Sequence, residues 1–435
     1  MIILNNIDAI RIFNKTAVYD RKGKIDFEKL SCYVILVFSF MNATLRLTES
    51  GISTIYRLIS PFLFMYICIK NIKQMEKAII FYIVFVCYGL LASIFYCHID
   101  FSGYMFALYL LVEFIIIKYL SIKEKDFSRS FYSFLDINTM IIIVFGLIQY
   151  VFPFTMPHLQ DRGHTITLYF WNENELSQAI ACMAVLYLYR YFIERDKKSG
   201  LKAILVFMII YINDAKLSLM GLILAFLILL FYKIFSNPWN GVRLSGWTII
   251  AAGLFFIVGG MVAILVLKIE FHFRDYSISL NELIGNGVKA IITLKPLEGF
   301  GSEIVRANAI IFGLQELYHS FFIGIGWENS IYMLEKPQYF LGTAKSMHNI
   351  VVQFLCEMGY FAMVCYAKLI GFGLKSVKRI RYNHIILLKI TFGGCFILIS
   401  SQSSDAILSN YLTWAIVAYV ALLKAQIPYR CKKNE

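Results

Sequence analysis

The sequence predicts an all-α protein that crosses a membrane many times and carries one long loop on the outer side. Its composition is 59% hydrophobic and only 16% charged, with a mean hydropathy of +0.67. Apolar runs of roughly 20 residues, the length that spans a bilayer as a helix, recur along most of the chain. Lysine and arginine collect in alternate connections between these runs. Together these features exclude a soluble globular domain.

Twelve apolar segments are predicted to be transmembrane helices, because each approaches the length that a bilayer requires. They are 31–48, 52–70, 78–97, 102–120, 134–152, 174–192, 201–213, 216–233, 247–267, 347–367, 384–401 and 406–423. The seventh and eighth are short, and only a few polar residues separate them. Either is compatible with a tilted or partial helix, so the number of spans can differ from twelve by about two.

The distribution of basic residues predicts the orientation of the chain. Most of the 41 lysines and arginines lie in the N-terminal segment, the even-numbered connections and the C-terminal tail. Because cytoplasmic loops are rich in these residues, both termini are predicted to be cytoplasmic. The predicted divisions are a cytoplasmic segment 1–30, helices over 31–267, an outer loop 268–345, helices over 346–424 and a cytoplasmic tail 425–435. This topology accounts for the net charge of +13, which gives no reason to expect a nucleic-acid partner.

The outer loop contains a predicted amphipathic helix. Between residues 304 and 321, apolar side chains recur at helical spacing and polar ones lie between them. The sequence Gly324-Ile325-Gly326 follows, and glycine commonly ends a helix. Residues 280–294 are a weaker helical candidate. A helix of this kind is predicted to lie on the membrane surface and to cover an outward-facing chamber.

Two basic residues, Lys216 and Arg306, lie beside apolar segments on the predicted outer side. A cation in such a position is costly unless it meets an anion. The anion is either a neighbouring carboxylate, with Asp214 and Glu303 the closest in sequence, or a phosphate group of a ligand. From the residue pattern alone the structural ion pair is the simpler interpretation, because buried charges in proteins are usually paired.

His348 lies where the long polar segment meets the apolar run of the tenth predicted span. Imidazole transfers protons near neutral pH, so this position is a candidate for acid–base chemistry, and a solvated surface histidine is the alternative. Asn349 is placed to cap the helix that follows. Glu357, inside the span, is either a functional carboxylate or a hydrogen-bonding partner of a neighbouring helix. Gly359 is predicted to allow close helix packing.

No metal or cofactor site is predicted. Glu173 and Glu175 are two acids without a third ligand, which is a weak arrangement for a divalent cation. The nine cysteines are scattered, mostly inside apolar runs, and no Cys-x-x-Cys pair occurs. They are therefore predicted to be small apolar side chains. Nucleotide-binding, serine-hydrolase and zinc-protease motifs do not occur in the sequence.

Four stretches, in order, resemble the motifs of the O-antigen ligase and polymerase superfamily. The run His348-Asn349-x-x-x-Gln353-x-Leu355-x-Glu357-x-Gly359 resembles the family signature that follows a long outer loop. Trp171-Asn172-Glu173-Asn174-Glu175-Leu176 resembles an Asn-Pro-Asn-x-Leu motif, with glutamate in the place of proline. The stretch 213–221 resembles a Ser-Arg turn, with Lys216 in the place of arginine, and 306–326 resembles a loop helix that starts with arginine and ends in Gly-Ile-Gly. The resemblance covers residues from about 170 to 410.

The resemblance implies a helical, GT-C-like membrane glycosyltransferase of the bacterial cytoplasmic (inner) membrane. Such enzymes use undecaprenyl-pyrophosphate-linked oligosaccharides as donor and acceptor, without a metal. By matching motifs, Lys216 and Arg306 would neutralise the charge on the departing pyrophosphate, and His348 would take the proton of the acceptor hydroxyl. The residues implied to contact substrate are Asn172, Asn174, Asn349 and Glu357.

The activity implied is that of a polymerase, which joins oligosaccharide repeat units into O-antigen, capsule or another surface polysaccharide on the outer face of the membrane. A ligase that moves the finished glycan to lipid A core or to a protein is the first alternative, since it shares the donor chemistry. A transporter of the same lipid-linked sugars is the second, although it needs polar residues on both sides of the membrane. Expected partners are the lipid-linked donor and acceptor, the lipid bilayer and a chain-length regulator.

Overall fold

The computed structural model describes residues 26–42, 44–45, 47, 54–99, 101–124, 126–155, 165–235, 270–272, 277–279, 289, 292–297, 302–336, 347–370, 384–401 and 410–423. Within these ranges the chain is mostly helical. The helices are α1 (Phe27–Phe40), α2 (Ile55–Lys70), α3 (Ile72–Phe95), α4 (Phe101–Lys123), α5 (Phe127–Val151), α6 (Glu173–Tyr189), α7 (Lys197–Ile212), α8 (Lys216–Phe235), α9 (Ser302–His319), α10 (Asn329–Glu335), α11 (Ile350–Ile370), α12 (His384–Ser400) and α13 (Tyr411–Leu422). A π-helical turn, Arg190–Glu194, continues α6.

The described helices overlap every predicted span except 247–267, which lies outside the described residues. Among the described residues, five helical segments are long and apolar enough to cross a membrane: Ile72–Phe95, Phe127–Val151, Glu173–Glu194, Lys216–Ile234 and Ile350–Lys368. The helices α12 and α13 are apolar but shorter. These apolar helices indicate a membrane protein. The number of twelve spans and the GT-C-like arrangement stay predictions.

The predicted loop 268–345 contains a pair of short strands in addition to helices. Strand β1 (Glu270–His272) pairs antiparallel with β2 (Ser277–Ser279). The all-α fold class is confirmed for the described residues, and this hairpin is a small addition to it; strands of three residues are too short to give a recognisable alternation of apolar and polar side chains. The helix predicted over 304–321 is present as α9, and most of the weaker candidate 280–294 lies outside the described residues.

The described chain divides into two compact units. The first takes the described residues up to Tyr88, those of Phe101–Leu222 and those of Leu398–Leu423; the second takes those of Gly89–Asp100 and Ile223–Ile397. In the first unit α13 packs against α4 and α6, and α6 packs against α7. In the second unit α9 packs against α11, and the short α10 contacts both of these helices.

An apolar cluster forms a core of the second unit. Its members are Ala309, Phe312, Ile325, Met333, Leu334, Met347 and Cys356, with Tyr96 and Val352 packed against them. These side chains come from α9, α10, α11 and the segments that join them. Because Met347 is fully buried in this cluster, core packing fixes the chain immediately before His348.

Candidate functional site

His348 lies on the turn that leads into α11, in the second unit. Its backbone is in the left-handed region, with a φ of 51°, and its neighbours Met347 and Asn349 are buried. Asn349 caps α11, since its Oδ1 accepts a hydrogen bond from the backbone N–H of Val352 at 2.9 Å. A positive φ is uncommon outside glycine and is held here by the buried residues on either side. Asn349 therefore has the capping role, and its contact with substrate stays a prediction.

Arg306 of α9 lies close enough to His348 to influence its protonation. Burial of the imidazole and, second, the positive charge of Arg306 lower the pKa of His348 to about 4. The side chain is consequently neutral at pH 7, and one ring nitrogen carries a lone pair that can accept a proton. The structure thus brings together two of the three residues that the resemblance assigns to the reaction.

The guanidinium of Arg306 is half-buried on α9. Among the side chains that the structure describes, no carboxylate lies within 4.0 Å of it. Glu303, the sequence-based candidate for its partner, has a side chain outside the described part. A guanidinium beside a neutral imidazole leaves a local positive charge, and its planar donor group matches phosphate oxygens geometrically.

Glu357 is buried in α11 and holds a neighbouring element in place. Its Oε1 accepts hydrogen bonds from Ser330 Oγ at 2.5 Å and from Gln353 Nε2 at 3.0 Å. Ser330 belongs to α10, so the carboxylate joins α10 to α11. This agrees with the interpretation in which Glu357 bonds a neighbouring helix, and the substrate contact implied by the resemblance stays a prediction.

The helix α11 is broken at Gly359, where φ is 47° and ψ is −127°. The segment 322–326 lies against this break and replaces the missing helical hydrogen bonds. The backbone N–H groups of Ile325 and Gly326 donate to the carbonyls of Cys356 and Glu357 at 3.0 and 2.9 Å, and the N–H of Tyr360 donates to Phe322 O at 2.8 Å. A Cβ on Gly359 would overlap the carbonyl of Phe322. The close packing predicted for Gly359 is therefore present, but the partner is a loop segment rather than a helix.

This break lies inside a segment apolar enough to cross a membrane. Non-helical backbone at membrane depth is tolerated where protein groups satisfy its hydrogen bonds, as the segment 322–326 does here. Broken helices in membrane proteins often place backbone and side-chain polar groups at a binding site. Here the break lies in the same helix that Asn349 caps, close in sequence to Glu357.

The first unit contains the other sequence-predicted site residues, and a buried asparagine joins two of their motifs. Asn172 caps α6 through its Oδ1, which accepts from the backbone N–H of Glu175 at 2.9 Å. Asn213 Nδ2 donates to Ile166 O at 2.9 Å and to Ser177 Oγ at 3.2 Å. The start of α6 is thereby tied to the turn between α7 and α8. Asn174 is half-buried in the first turn of α6.

Lys216 is the first residue of α8, directly after this turn. Its side chain is 69% exposed, and its Nζ lies 3.5 Å from Asp214 Oδ2. The structural ion pair that the sequence favoured for Lys216 is therefore present. An exposed pair of this kind contributes at most about 1 kcal/mol to stability and leaves the ammonium accessible. Lys216 belongs to the first unit, whereas Arg306 and His348 belong to the second.

Two buried asparagines organise these regions; Asn213 belongs to a polar turn that the sequence indicated as a candidate, whereas Asn329 was missed. Asn213 forms the junction described above, and Asn329, fully buried at the start of α10, bonds to the chain around His98. The signal for Asn213 was its place in a short polar turn between two apolar runs. No comparable signal exists for Asn329, because its partner His98 lies 231 residues away in sequence.

Within the ranges that the structure describes, no group of three or more His, Cys, Asp or Glu side chains is arranged to hold a metal ion. No protein-family model matches the chain, and no curated protein matches it significantly. The assignment of function consequently depends on the residues themselves.

Proposed function

We propose that this protein is a membrane glycosyltransferase that polymerises undecaprenyl-pyrophosphate-linked oligosaccharide repeat units on the outer face of the cytoplasmic membrane. The observation that carries the proposal is that Arg306 of α9 lies close enough to His348, just before α11, to help keep the imidazole neutral. A neutral imidazole beside a cation suits a reaction in which an alcohol loses a proton while an anionic group departs.

The proposed step transfers a glycan from one lipid carrier to another. The hydroxyl oxygen of the acceptor sugar attacks the anomeric carbon of the donor, and the bond from that carbon to the pyrophosphate oxygen breaks. The acceptor proton passes to the neutral imidazole of His348. The electron pair of the broken bond leaves on the pyrophosphate, whose charge Arg306 stabilises.

Binding of the donor is expected to prepare His348 for this role. A base with a pKa of about 4 is neutral at pH 7 but has a weak driving force for accepting a proton. When an anionic pyrophosphate binds beside Arg306, it offsets the positive charge that contributes to the low pKa. The imidazole then becomes more basic in the complex than in the free protein.

Lys216 is proposed to provide a second positive charge for the donor. Its exposed ammonium at the start of α8 is available to a ligand. A lysine acts on phosphate as a point charge and lacks the two-pronged geometry of the arginine that the resembling family carries at this position.

The test is complementation of a strain that lacks this gene, with surface polysaccharide resolved by length on a gel. We expect the wild-type gene to restore a ladder of repeat units and His348→Ala to give single units only. Long chains that accumulate on the lipid carrier without the gene would instead indicate a ligase. Failure of any repeat unit to reach the outer face without the gene would indicate a transporter.

A further inference from the structure

A second polar cluster in the second unit lies outside the site proposed for glycosyl transfer. At the end of α3, the ring of His98 stacks on Tyr332 of α10 with centroids 3.8 Å apart and the planes nearly parallel. Lys336, directly after α10, donates to the hydroxyl of Tyr96 at 2.5 Å and lies over the Tyr96 ring at 4.2 Å. Its Nζ is also 5.7 Å from the centre of the Tyr332 ring.

Asn329 fixes the orientation and the tautomer of His98. Its Nδ2 donates to the carbonyls of His98 and Ile325 at 2.9 and 2.6 Å, which identifies the nitrogen of the amide because carbonyls only accept. The Oδ1 of Asn329 therefore faces His98 Nδ1 at 2.6 Å, and Nδ1 must carry the proton. In neutral His98, the remaining nitrogen, Nε2, then has a lone pair available to a hydroxyl donor.

The charge and exposure of the cluster indicate what it binds. Among the described side chains no carboxylate forms an ion pair with Lys336. Its contacts are an aromatic hydroxyl and two aromatic faces, which stabilise a cation without neutralising it. Tyr332 is 42% exposed, and His98 and Lys336 are half-buried. The site thus offers an aromatic surface, a hydroxyl acceptor and a positive charge together.

We propose that His98, Tyr332 and Lys336 bind an acidic sugar residue, with the carboxylate on Lys336, a hydroxyl on His98 Nε2 and the apolar part of the pyranose against Tyr332. That the ligand is a glycan rests on the function proposed above. Sugars combine hydroxyl groups with apolar C–H surfaces, which suits a site that mixes hydrogen-bonding groups with an aromatic ring. Predicted topology places His98 and the loop 268–345 on the same, outer side.

The cluster and the Arg306–His348 site share one core. Tyr96, which accepts a hydrogen bond from Lys336, packs against the apolar core that contains Met347 and the α9 residues Ala309 and Phe312. The buried amide of Asn329 ties the end of α3 to the segment before α10. A glycan bound at His98, Tyr332 and Lys336 is therefore connected through Tyr96 to the same apolar core as Met347, the residue before His348.

The experiment measures sugar binding to the purified full-length protein in lipid nanodiscs by calorimetry, with tetragalacturonate as the acidic probe and maltotetraose as the neutral one. We expect tetragalacturonate to bind and maltotetraose to bind at least about tenfold more weakly, because only the acidic sugar offers a carboxylate to the positive charge of Lys336. Lys336→Gln should remove this preference and Lys336→Arg should retain it. Tyr332→Ala should weaken both probes, and Tyr332→Phe should not.

Matched controls separate binding from folding. Tyr318→Ala removes a tyrosine of α9 that is 63% exposed, and Lys295→Gln removes an exposed lysine of the same predicted loop; both should bind tetragalacturonate as the wild type does. Equal binding of the two sugars, or binding unaffected by Lys336→Gln in a variant that elutes as a single species, overturns the proposal. The binding assay contains no lipid-linked donor, so its result does not depend on polymerase activity. If the acidic sugar does not bind, the polymerase assignment is still tested separately by the complementation gel.

Discussion

At the scale of single residues, the central feature is a histidine whose surroundings favour its neutral form. His348 is held by the buried residues on either side, and Arg306 adds a positive charge that opposes protonation. The sign of the effect follows from the charge type: both burial and a nearby cation disfavour the imidazolium, so the folded pKa falls below the usual value of 6.5. The lone pair is thus available over the whole physiological pH range.

Substitution of Arg306 by glutamine should raise the pKa of His348. Because burial is the larger cause of the low value and remains in the variant, the pKa should move only part of the way back from about 4 towards 6.5. The measurement is the rate of carbethoxylation of His348 against pH, followed by mass spectrometry of the peptide that contains it. As the pH is lowered, the carbethoxylation rate of the wild type should fall with a midpoint near pH 4. The midpoint for Arg306→Gln should lie at a higher pH. The same midpoint in both proteins would contradict the influence of Arg306.

Variants of Lys216 test whether the exposed ammonium serves the donor or only its neighbour Asp214. We expect Lys216→Gln to lose polymerase activity and Lys216→Arg to keep part of it, because the charge is retained while the geometry changes. Asp214→Asn is the matched control, since it removes the ion pair but not the ammonium. Full activity of Lys216→Gln in the gel assay would exclude Lys216 from the site.

At the scale of elements, the break in α11 depends on one glycine and on the segment that replaces its hydrogen bonds. Gly359 adopts a backbone conformation that other residues rarely take, and the carbonyl of Phe322 occupies the space of a side chain. Gly324 also has a positive φ and lies against the same helix, whereas the space beside Gly326, a third glycine with positive φ, is filled by Ser93 of α3. Gly324 and Gly359 therefore permit the close contact between the loop and this candidate membrane-spanning helix.

Gly359→Ala is expected to destabilise this contact strongly, because the new Cβ meets backbone atoms that cannot rotate away. The readout is the fraction of detergent-solubilised protein that elutes as a single species after heating. Gly394→Ala is the matched control: that glycine lies in α12 with no heavy atom within 4 Å of an added Cβ, and alanine favours a helix by about 1 kcal/mol. Equal thermal survival of the two variants would contradict the close contact at Gly359.

At the scale of the whole molecule, local features were predictable from the sequence and distant contacts were not. The positions of the described helices follow from apolar runs, and the cap at Asn349 follows from a single residue before a helix. The proximity of Arg306 to His348 depends on how α9 packs against α11, which no local pattern encodes; the motifs of the resembling family supplied that expectation. The hydrogen bonds of segment 322–326 and the pairing of His98 with Asn329 depend on tertiary packing and had no local signal.

The predicted orientation of the whole chain in the membrane can be tested by labelling. In a variant whose nine cysteines are replaced, single cysteines are introduced at two exposed lysines, Lys295→Cys and Lys123→Cys. A membrane-impermeant maleimide should label the first from outside and the second only after the membrane is opened, because the loop 268–345 is predicted outside and the connection after α4 inside. Labelling in the reverse order would contradict the orientation.

Turnover of the purified protein shows whether His348 takes part in glycosyl transfer. The protein in nanodiscs is supplied with lipid-linked repeat units isolated from a strain that lacks the gene, and the products are resolved by length. Wild-type protein should extend the units, His348→Ala should be slower by at least about a hundredfold, and His319→Ala, which removes an exposed histidine of α9, should match the wild type. Extension by His348→Ala at the wild-type rate would exclude His348 as the base, and no extension by the wild-type protein would exclude polymerase activity.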